Sequence, residues 1–330
     1  MSAKIFLDAV TSKSTFRPAV GSGTSIVTDE LMTLAGAAFP EAHLNGQVMA
    51  KLAIAGHTIL GYDVVMPLFG VWHESAALGC PVEWGDRLHM PDCRRSIWKT
   101  DADIRFTKDF LKHPAAKAPL AAISILKKQL GSDCAVCGKV FGPWTLGYHF
   151  FGVEEFLINT LLKADMIRKI IDRLKEVTVL YAHAQVEAGA DCILLADHAT
   201  RDLCSPEMYR DFLLPVHREF AERITCPLIL HICGDTKDRI RYIRESQIDC
   251  FHWDTKSGEP VEIRRLAGDK LSLMGGISNI ETLYNGTPED VRRQAEAAVR
   301  AGINIVGPEC AVPLDVKVEN LKAISQQIIH

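Results

Sequence analysis

Residues 227–236 read PLILHICGDT, and this stretch decides how the rest of the chain is interpreted. An apolar run leads directly into a histidine and a cysteine two positions apart, and glycine and aspartate follow. Nearly continuous apolar runs are typical of strands buried on both faces, and parallel strands covered by helices are the usual case. We therefore expect a buried parallel strand that ends in polar side chains.

Seven other segments share this pattern, and longer amphipathic segments separate them. Helix starts between them are marked at Ser205-Pro206 and Thr287-Pro288, where a capping residue precedes a proline. Strands alternating with helices favour a barrel or a doubly wound sheet, and eight strands predict an α/β protein with a (β/α)8 TIM barrel in one domain, 1–330. The eight predicted strands are 18–23, 62–67, 134–142, 192–197, 227–234, 250–254, 271–276 and 304–310.

Two regions depart from the strand and helix alternation. An N-terminal extension precedes the first predicted strand, and the segment near 80–130 begins CPVEWGDRLHMPDC, which is polar, aromatic and irregular. Long irregular excursions are typical of the loops over the C-terminal mouth of such a barrel. We therefore predict that 80–130 is an insertion over that mouth.

The composition excludes several classes of partner. The 330 residues are 48% hydrophobic with a formal net charge of -4 and no long basic run, which argues against nucleic acid and against an anionic membrane surface. The N-terminus has no apolar signal segment, and no run of apolar residues is long enough to cross a membrane. Ten cysteines in such a chain indicate reduced thiols, so we expect a cytoplasmic protein.

His231 and Cys233 are the first candidate functional pair. Residues i and i+2 of a strand share a face, and catalytic residues of (β/α)8 enzymes collect at the C-terminal ends of strands. An imidazole and a thiolate together suit zinc, which needs at least one more protein ligand. Cys310 follows another apolar strand at the same kind of rim position, so the sequence predicts a zinc site made by His231, Cys233 and Cys310.

CAVC at 134–137 is a second cysteine motif, with the spacing of known zinc and redox sites. Within an extended strand, however, Cys134 and Cys137 differ by three positions and point to opposite faces. We therefore predict two buried thiols that do not bind metal together.

The chain resembles the uroporphyrinogen decarboxylase superfamily, and within it the zinc-dependent methylcobamide:thiol methyltransferases, of which the coenzyme M enzymes are best known. The resemblance spans nearly the whole chain and is strongest in the C-terminal half, where HICG and GPECAVP match the methyltransferase branch. The matching segments are AFPEAH (38–43), VEAGADCILLAD (186–197), LCSPEMYRDFLLP (203–215), LILHICGD (228–235) and INIVGPECAVPLDVKVENLKA (303–323).

The resemblance implies a function as well as a site. His231, Cys233 and Cys310 would bind Zn²⁺, and Asp254 in FHWDTK matches an acidic residue that lies near zinc when no thiol is bound. The implied reaction moves a methyl group from methylcobamide, carried on a separate methylated corrinoid protein, to a small thiol. Coenzyme M is the first candidate acceptor, and homocysteine and tetrahydrofolate are alternatives.

Four further residues are assigned supporting roles. The second ring nitrogen of a metal-binding histidine usually donates to an oxygen, and Asp254 and Asp197, which both end predicted strands, are candidates for His231. An acceptor with an anionic end would need a cation at the mouth, and Arg201 and Lys256 are candidates.

Two other functions are weighed against methyl transfer. A true uroporphyrinogen decarboxylase holds its carboxylates with arginines after the first strand, whereas VGSGTSIVTDELM at 20–32 contains none. A purely structural zinc site would normally use four protein ligands, whereas three are found. Both alternatives are therefore disfavoured.

Overall fold

Eight short strands form one parallel sheet that closes almost completely into a barrel. The computed structural model describes residues 2–93 and 95–329. The strands follow the order β1-β8-β7-β6-β5-β4-β3-β2, and all paired neighbours are parallel, which confirms the predicted (β/α)8 architecture. They are β1 (Ala19–Val20), β2 (Val64–Val65), β3 (Ala135–Phe141), β4 (Cys192–Ala196), β5 (Leu228–Ile232), β6 (Cys250–Trp253), β7 (Ser272–Ile277) and β8 (Ile305–Pro308).

The gap between β1 and β2, at the two ends of the strand order, is bridged by Asp63. Its backbone N–H donates to Val20 O at 2.8 Å, and its carboxylate accepts from Val20 N at 2.9 Å. Arg17 donates to both carboxylate oxygens, at 2.7 and 2.9 Å. One aspartate thus connects two strands that are each only two residues long.

Helices cover the outside of the barrel and begin where the sequence marks them. Ser205 Oγ accepts from Met208 N at 3.2 Å, and Thr287 forms a reciprocal capping box with Asp290. The α-helices are Ser2–Val10, Asp29–Ala35, Glu41–Leu44, Gly46–Ala53, Ala55–Thr58, His73–Ala77, Pro114–Leu130, Pro143–Phe151, Val153–Leu162, Ala164–Glu187, Pro206–Met208, Leu214–Arg223, Ile240–Glu245, Pro260–Ala267, Pro288–Arg300 and Val318–Ile329. Short 3-10 turns occupy Asp101–Asp103, Lys108–Lys112, Lys237–Arg239 and Thr255–Ser257, and π-helical turns occupy Tyr209–Leu213 and Asn279–Tyr284.

The N-terminal extension lies against the bottom of the barrel. Its helix, Ser2–Val10, buries Phe6 and Val10, and its carbonyl at Ala9 accepts from Ser272 Oγ at 2.6 Å. Ser272 is the first residue of β7, so the helix lies at the N-terminal ends of the strands. The helix therefore does not cover the C-terminal ends of the strands, where a functional site is expected.

The excursion between β2 and β3 is shorter than predicted. Among residues 80–93 and 95–112, which the structure describes, there is only an isolated antiparallel bridge, Glu83 to Asp92, and short 3-10 turns. Pro114–Leu130 is instead a regular helix that packs against the barrel and leads into β3. His113 caps it by accepting from Ala115 N at 3.2 Å, and Pro114 occupies its first turn. Its amphipathic alanine- and lysine-rich pattern is that of a barrel helix rather than of an insertion.

Among residues 2–93 and 95–329, no helix combines the length and the apolar character that crossing a bilayer requires.

Replacing Asp63 by alanine tests the bridge between β1 and β2. The change leaves the Arg17 guanidinium, 12% exposed, without its partner and removes an acceptor from Val20 N–H. We expect the free energy of unfolding to fall by about 3–5 kcal/mol, measured by urea titration with circular dichroism. Asp86→Ala removes an exposed pair with His89 and is the matched control, which should shift the urea midpoint little. Equal shifts for the two variants would contradict the bridging role.

Candidate metal site

Strand β5 positions His231 and Cys233 on the inner face of the barrel. The strand is buried throughout because its residues are apolar up to the histidine. His231 pairs with Ala196 of β4 and His252 of β6, and its side chain is buried. Cys233 follows the last strand residue, and it faces the same way because two positions separate it from His231.

Strand β8 brings the third ligand candidate to the same end of the barrel. Glu309 N–H donates to Ile277 O at 3.0 Å, so the pairing with β7 continues past Pro308. Cys310 follows, and its Sγ lies 3.4 Å from His231 Nε2 and 3.6 Å from Cys233 Sγ. The three ligand atoms all lie within 4.8 Å of one another, so the structure brings the three predicted residues together.

The two thiols of this group influence each other strongly. The hydrogen bond between the Cys310 and Cys233 sulfurs, together with the nearby His231, lowers the pKa of Cys310 well below its usual value. The same hydrogen bond, burial and the neighbouring Asp254 raise the pKa of Cys233. Without a cation, the pair therefore favours one thiolate and one thiol.

The second ring nitrogen of His231 has a backbone partner. Nδ1 lies 3.2 Å from the carbonyl oxygen of His252, so Nδ1–H donates and Nε2 is left free to bind a metal. The expectation that Asp254 or Asp197 accepts this hydrogen bond is therefore wrong. His252 is itself fixed, because its Nε2 donates to Pro308 O at 2.9 Å, and burial lowers the pKa of its imidazole to about 3.

Asp254 lies beside the site. Its Oδ2 accepts from Gly234 N at 2.8 Å and lies 3.5 Å from Cys233 Sγ, while its Oδ1 accepts from Lys256 N at 2.9 Å. The two backbone hydrogen bonds hold the carboxylate next to one candidate ligand.

Asp197 points elsewhere. Its Oδ1 accepts from Thr145 N at 2.8 Å, its Oδ2 lies 3.2 Å from His217 Nε2, and its side chain is 0% exposed. These contacts join β4 to the helices Pro143–Phe151 and Leu214–Arg223. The hydrogen bonds of Asp197 therefore stabilise the barrel wall and do not orient His231.

The two predicted anion-binding residues lie at the exposed rim. The side chain of Arg201 is 62% exposed, and its guanidinium lies 3.3 Å from Asp235 Oδ2. Lys256 is exposed as well, and its backbone N–H donates to Asp254 Oδ1. Neither residue belongs to the group formed by His231, Cys233 and Cys310.

Glu309 is a buried residue at the site that the sequence reasoning missed. Its Oε1 accepts from Asn279 N at 2.7 Å, and its Oε2 accepts from Thr255 N at 2.9 Å and from the Thr255 hydroxyl. Burial raises the pKa of this carboxyl. The residue joins the ends of β6, β7 and β8 immediately before Cys310. The feature of the sequence that could have pointed to Glu309 is an acidic residue directly after an apolar strand, in the motif GPEC.

The CAVC motif lies apart from this group. Cys134 and Cys137 are free thiols and are fully buried. Among the residues that the structure describes, the only cluster able to hold a metal ion consists of His231, Cys233 and Cys310. One imidazole nitrogen and two sulfurs form a donor set that suits a borderline-soft divalent ion such as zinc, with a coordination position left for another ligand.

Comparison with known proteins identifies the family. The family model described as uroporphyrinogen decarboxylase (URO-D) matches residues 1–329. A methylated-thiol:coenzyme M methyltransferase of Methanosarcina mazei is 34% identical over 298 residues, covering 90% of this chain and 80% of the relative. A methylcobamide:CoM methyltransferase of Methanosarcina barkeri is 32% identical over 320 residues, covering 96% of this chain and 94% of the relative.

A solved structure described as a methyltransferase from Methanosarcina mazei has the same fold as this chain. It superimposes with a TM-score of 0.95 at 29% identity, covering 99% of this chain and 97% of the other. Fold and sequence agree over essentially the full length, and the chain belongs to the uroporphyrinogen decarboxylase family.

Proposed function

We propose that the protein is a methyltransferase that moves a methyl group from a methylated corrinoid to a small thiol, with coenzyme M as the first candidate acceptor. The observation that carries this proposal is the meeting of His231, Cys233 and Cys310 within 4.8 Å at the strand ends. One relative is named a methylated-thiol:coenzyme M methyltransferase and another a methylcobamide:CoM methyltransferase, and both names support methyl transfer to coenzyme M.

The reaction needs a thiolate sulfur at neutral pH. An alkyl thiol has a pKa of about 8.5 and is mostly protonated at pH 7. A zinc ion at this site would remove that proton from a coordinated thiol. The acceptor sulfur then forms a bond to the methyl carbon while the carbon–cobalt bond breaks. Both electrons of that bond stay with cobalt, which passes from cobalt(III) to cobalt(I), and the thiol proton leaves to solvent.

The protein residues place and orient these groups. His231, Cys233 and Cys310 would hold the metal, and the His252 carbonyl keeps the correct nitrogen of His231 directed to it. Asp254, beside Cys233, is proposed as the carboxylate that approaches the metal when no thiol is bound. An in-line displacement depends mainly on the placement of donor and acceptor, so rigid anchoring of these residues serves catalysis directly.

We propose that the methylcobamide arrives on a separate corrinoid protein that docks over the barrel mouth. Arg201 and Lys256, exposed at the rim, remain candidates for contacts with anionic groups there. A cytoplasmic location is proposed with this activity, because the ten cysteines are free thiols, as is usual in a reducing compartment.

We predict that the purified protein binds about one zinc ion per chain through the three converging residues. Cys310→Ala should abolish tight zinc binding while the circular dichroism spectrum is unchanged, because a sulfur ligand is lost without altering the core. Metal content is measured by mass spectrometry after dialysis. The double variant Cys134→Ser, Cys137→Ser is the control and should keep its zinc, at some cost in stability from buried hydroxyls. Full zinc content in Cys310→Ala would remove Cys310 from the site.

Methyl transfer itself is tested with free methylcobalamin. The zinc-containing protein should convert the methylcobalamin absorption spectrum to that of cob(I)alamin under anaerobic conditions only when a thiol is present. Coenzyme M is the first acceptor to test and homocysteine the second. Demethylation that runs equally well with tetrahydrofolate and no thiol would contradict the mechanism. Formation of coproporphyrinogen from uroporphyrinogen, with no methyl transfer, would support a decarboxylase instead.

A further inference from the structure

Lys139 is a charged residue in the middle of a buried strand. It lies in β3 within the run AVCGKVF, every residue of which is buried, and it is only 4% exposed. A Cβ built on the preceding Gly138 would meet Gln185 of the outer helix Ala164–Glu187. Because neighbouring residues of a strand face opposite ways, Lys139 points into the barrel.

The ammonium of Lys139 has weak partners. Its Nζ lies 3.3 Å from Gly70 O and 3.4 Å from Leu68 O, and 5.1 Å from the centre of the Phe141 ring. No carboxylate of a residue that the structure describes forms an ion pair with it within 4.0 Å. Burying an ammonium without a counter-ion is costly, so such a group normally has an anionic partner.

Lys139 nevertheless stays a cation at neutral pH. Burial lowers its pKa, to about 8, while the negative charge of the nearby Glu74 acts in the opposite direction. Lys139 lies two residues before Phe141, and Phe141 pairs with Ala196, which in turn pairs with His231. Lys139 and His231 therefore face the same interior of the barrel. A ligand held between them could therefore contact both.

Polar atoms that lack hydrogen-bond partners lie around Gly70, whose carbonyl Lys139 contacts. Of the eight buried side-chain polar atoms without a hydrogen bond in the described part of the chain, four belong to His43, His73 and Glu74. A Cβ built on Gly70 would lie 3.4 Å from His73 Nδ1 and 3.7 Å from His43 Nδ1. Buried polar atoms are almost always satisfied by protein, water or ligand. The region around Gly70 thus has hydrogen-bonding capacity that the protein alone does not use.

We propose that Lys139 binds the negatively charged end of the acceptor thiol, so that the protein prefers short thiols with a sulfonate or carboxylate at the other end. This inference rests on the proposed function and assigns the acceptor-selecting residue within it. The sulfur of such a molecule would reach the group of His231, Cys233 and Cys310, and its anion would form the direct ion pair that Lys139 lacks.

The geometry favours Lys139 over the rim cations for this role. Arg201 already contacts Asp235 and is 62% exposed, and Lys256 is exposed, so water and salt would screen an anion bound by either. A charge pair formed by Lys139 would be shielded from water and therefore stronger. An alternative role for Lys139 is to anchor Leu68 and Gly70, which would affect stability but not the choice of acceptor.

The first experiment compares acceptors of different charge. Lys139→Met keeps the length and apolar stem of the side chain and removes the charge. We expect the KM for coenzyme M to rise about 10- to 100-fold, while the KM for uncharged 2-mercaptoethanol changes less than about twofold. Lys175→Met, which removes a partly buried lysine bound to Glu219 on an outer helix, is the matched control and should leave both KM values unchanged.

The second experiment needs no methyl transfer. Ethanesulfonate, which has the anion but no thiol, is titrated into the zinc-containing protein by calorimetry. Ethanesulfonate should bind equally well to the unaltered protein and to the Lys175→Met variant. Its affinity for the Lys139→Met variant should be lower by at least about tenfold. Gly70→Ala, whose added Cβ would lie 3.1 Å from His73 Cε1 and press on that ring, should also weaken binding and serves if Lys139→Met does not fold.

The outcomes separate this inference from the proposed function. Equal changes in KM for the charged and uncharged thiols in Lys139→Met would overturn the role of Lys139 while methyl transfer stands. Loss of the anionic preference in Arg201→Gln or Lys256→Gln, but not in Lys139→Met, would also overturn it. Failure of every thiol to accept a methyl group would contradict the proposed function, and the ethanesulfonate titration would then decide the role of Lys139 alone.

Discussion

The central constraint in this structure is the close approach of two sulfurs and one imidazole nitrogen. Cys310 Sγ lies 3.6 Å from Cys233 Sγ and 3.4 Å from His231 Nε2, in a largely buried setting. Two thiolates at that distance would repel each other strongly in a medium of low dielectric constant. Either a shared proton or a cation must relieve the repulsion, and a divalent ion does so for both sulfurs together. The barrel therefore has to hold the two sulfurs close together against their mutual repulsion.

Several contacts between strand ends hold it. Strands β5 and β8, which carry the ligands, are separated by β6 and β7 in the strand order. The His252 side chain links β6 to the end of β8 through Pro308 O, and its carbonyl fixes His231. Glu309 binds backbone N–H groups that follow β6 and β7. These neighbouring groups fix the ligands before any metal binds, which lowers the ordering cost of binding.

Local periodicity explains what the sequence could predict. Apolar runs located all eight strands, and the two-residue spacing placed His231 and Cys233 on one face. Three features lay beyond that reasoning for physical reasons. The partner of His231 is a backbone carbonyl, which any residue could supply, so no side chain signals it. The role of Glu309 depends on the positions of other strands. Lys139 was visible as a cation in an apolar run, but its surroundings required the folded barrel.

The most direct test of this account is X-ray absorption spectroscopy at the zinc edge, with and without coenzyme M. We predict two sulfur neighbours at about 2.3 Å from zinc in the protein alone, supplied by Cys233 and Cys310, and one imidazole nitrogen at about 2.0 Å. Addition of coenzyme M should raise the sulfur count from about two to about three, because the open position accepts the thiol. A spectrum that is unchanged by the thiol, or that shows four protein ligands from the start, would contradict the claim that this site activates sulfur.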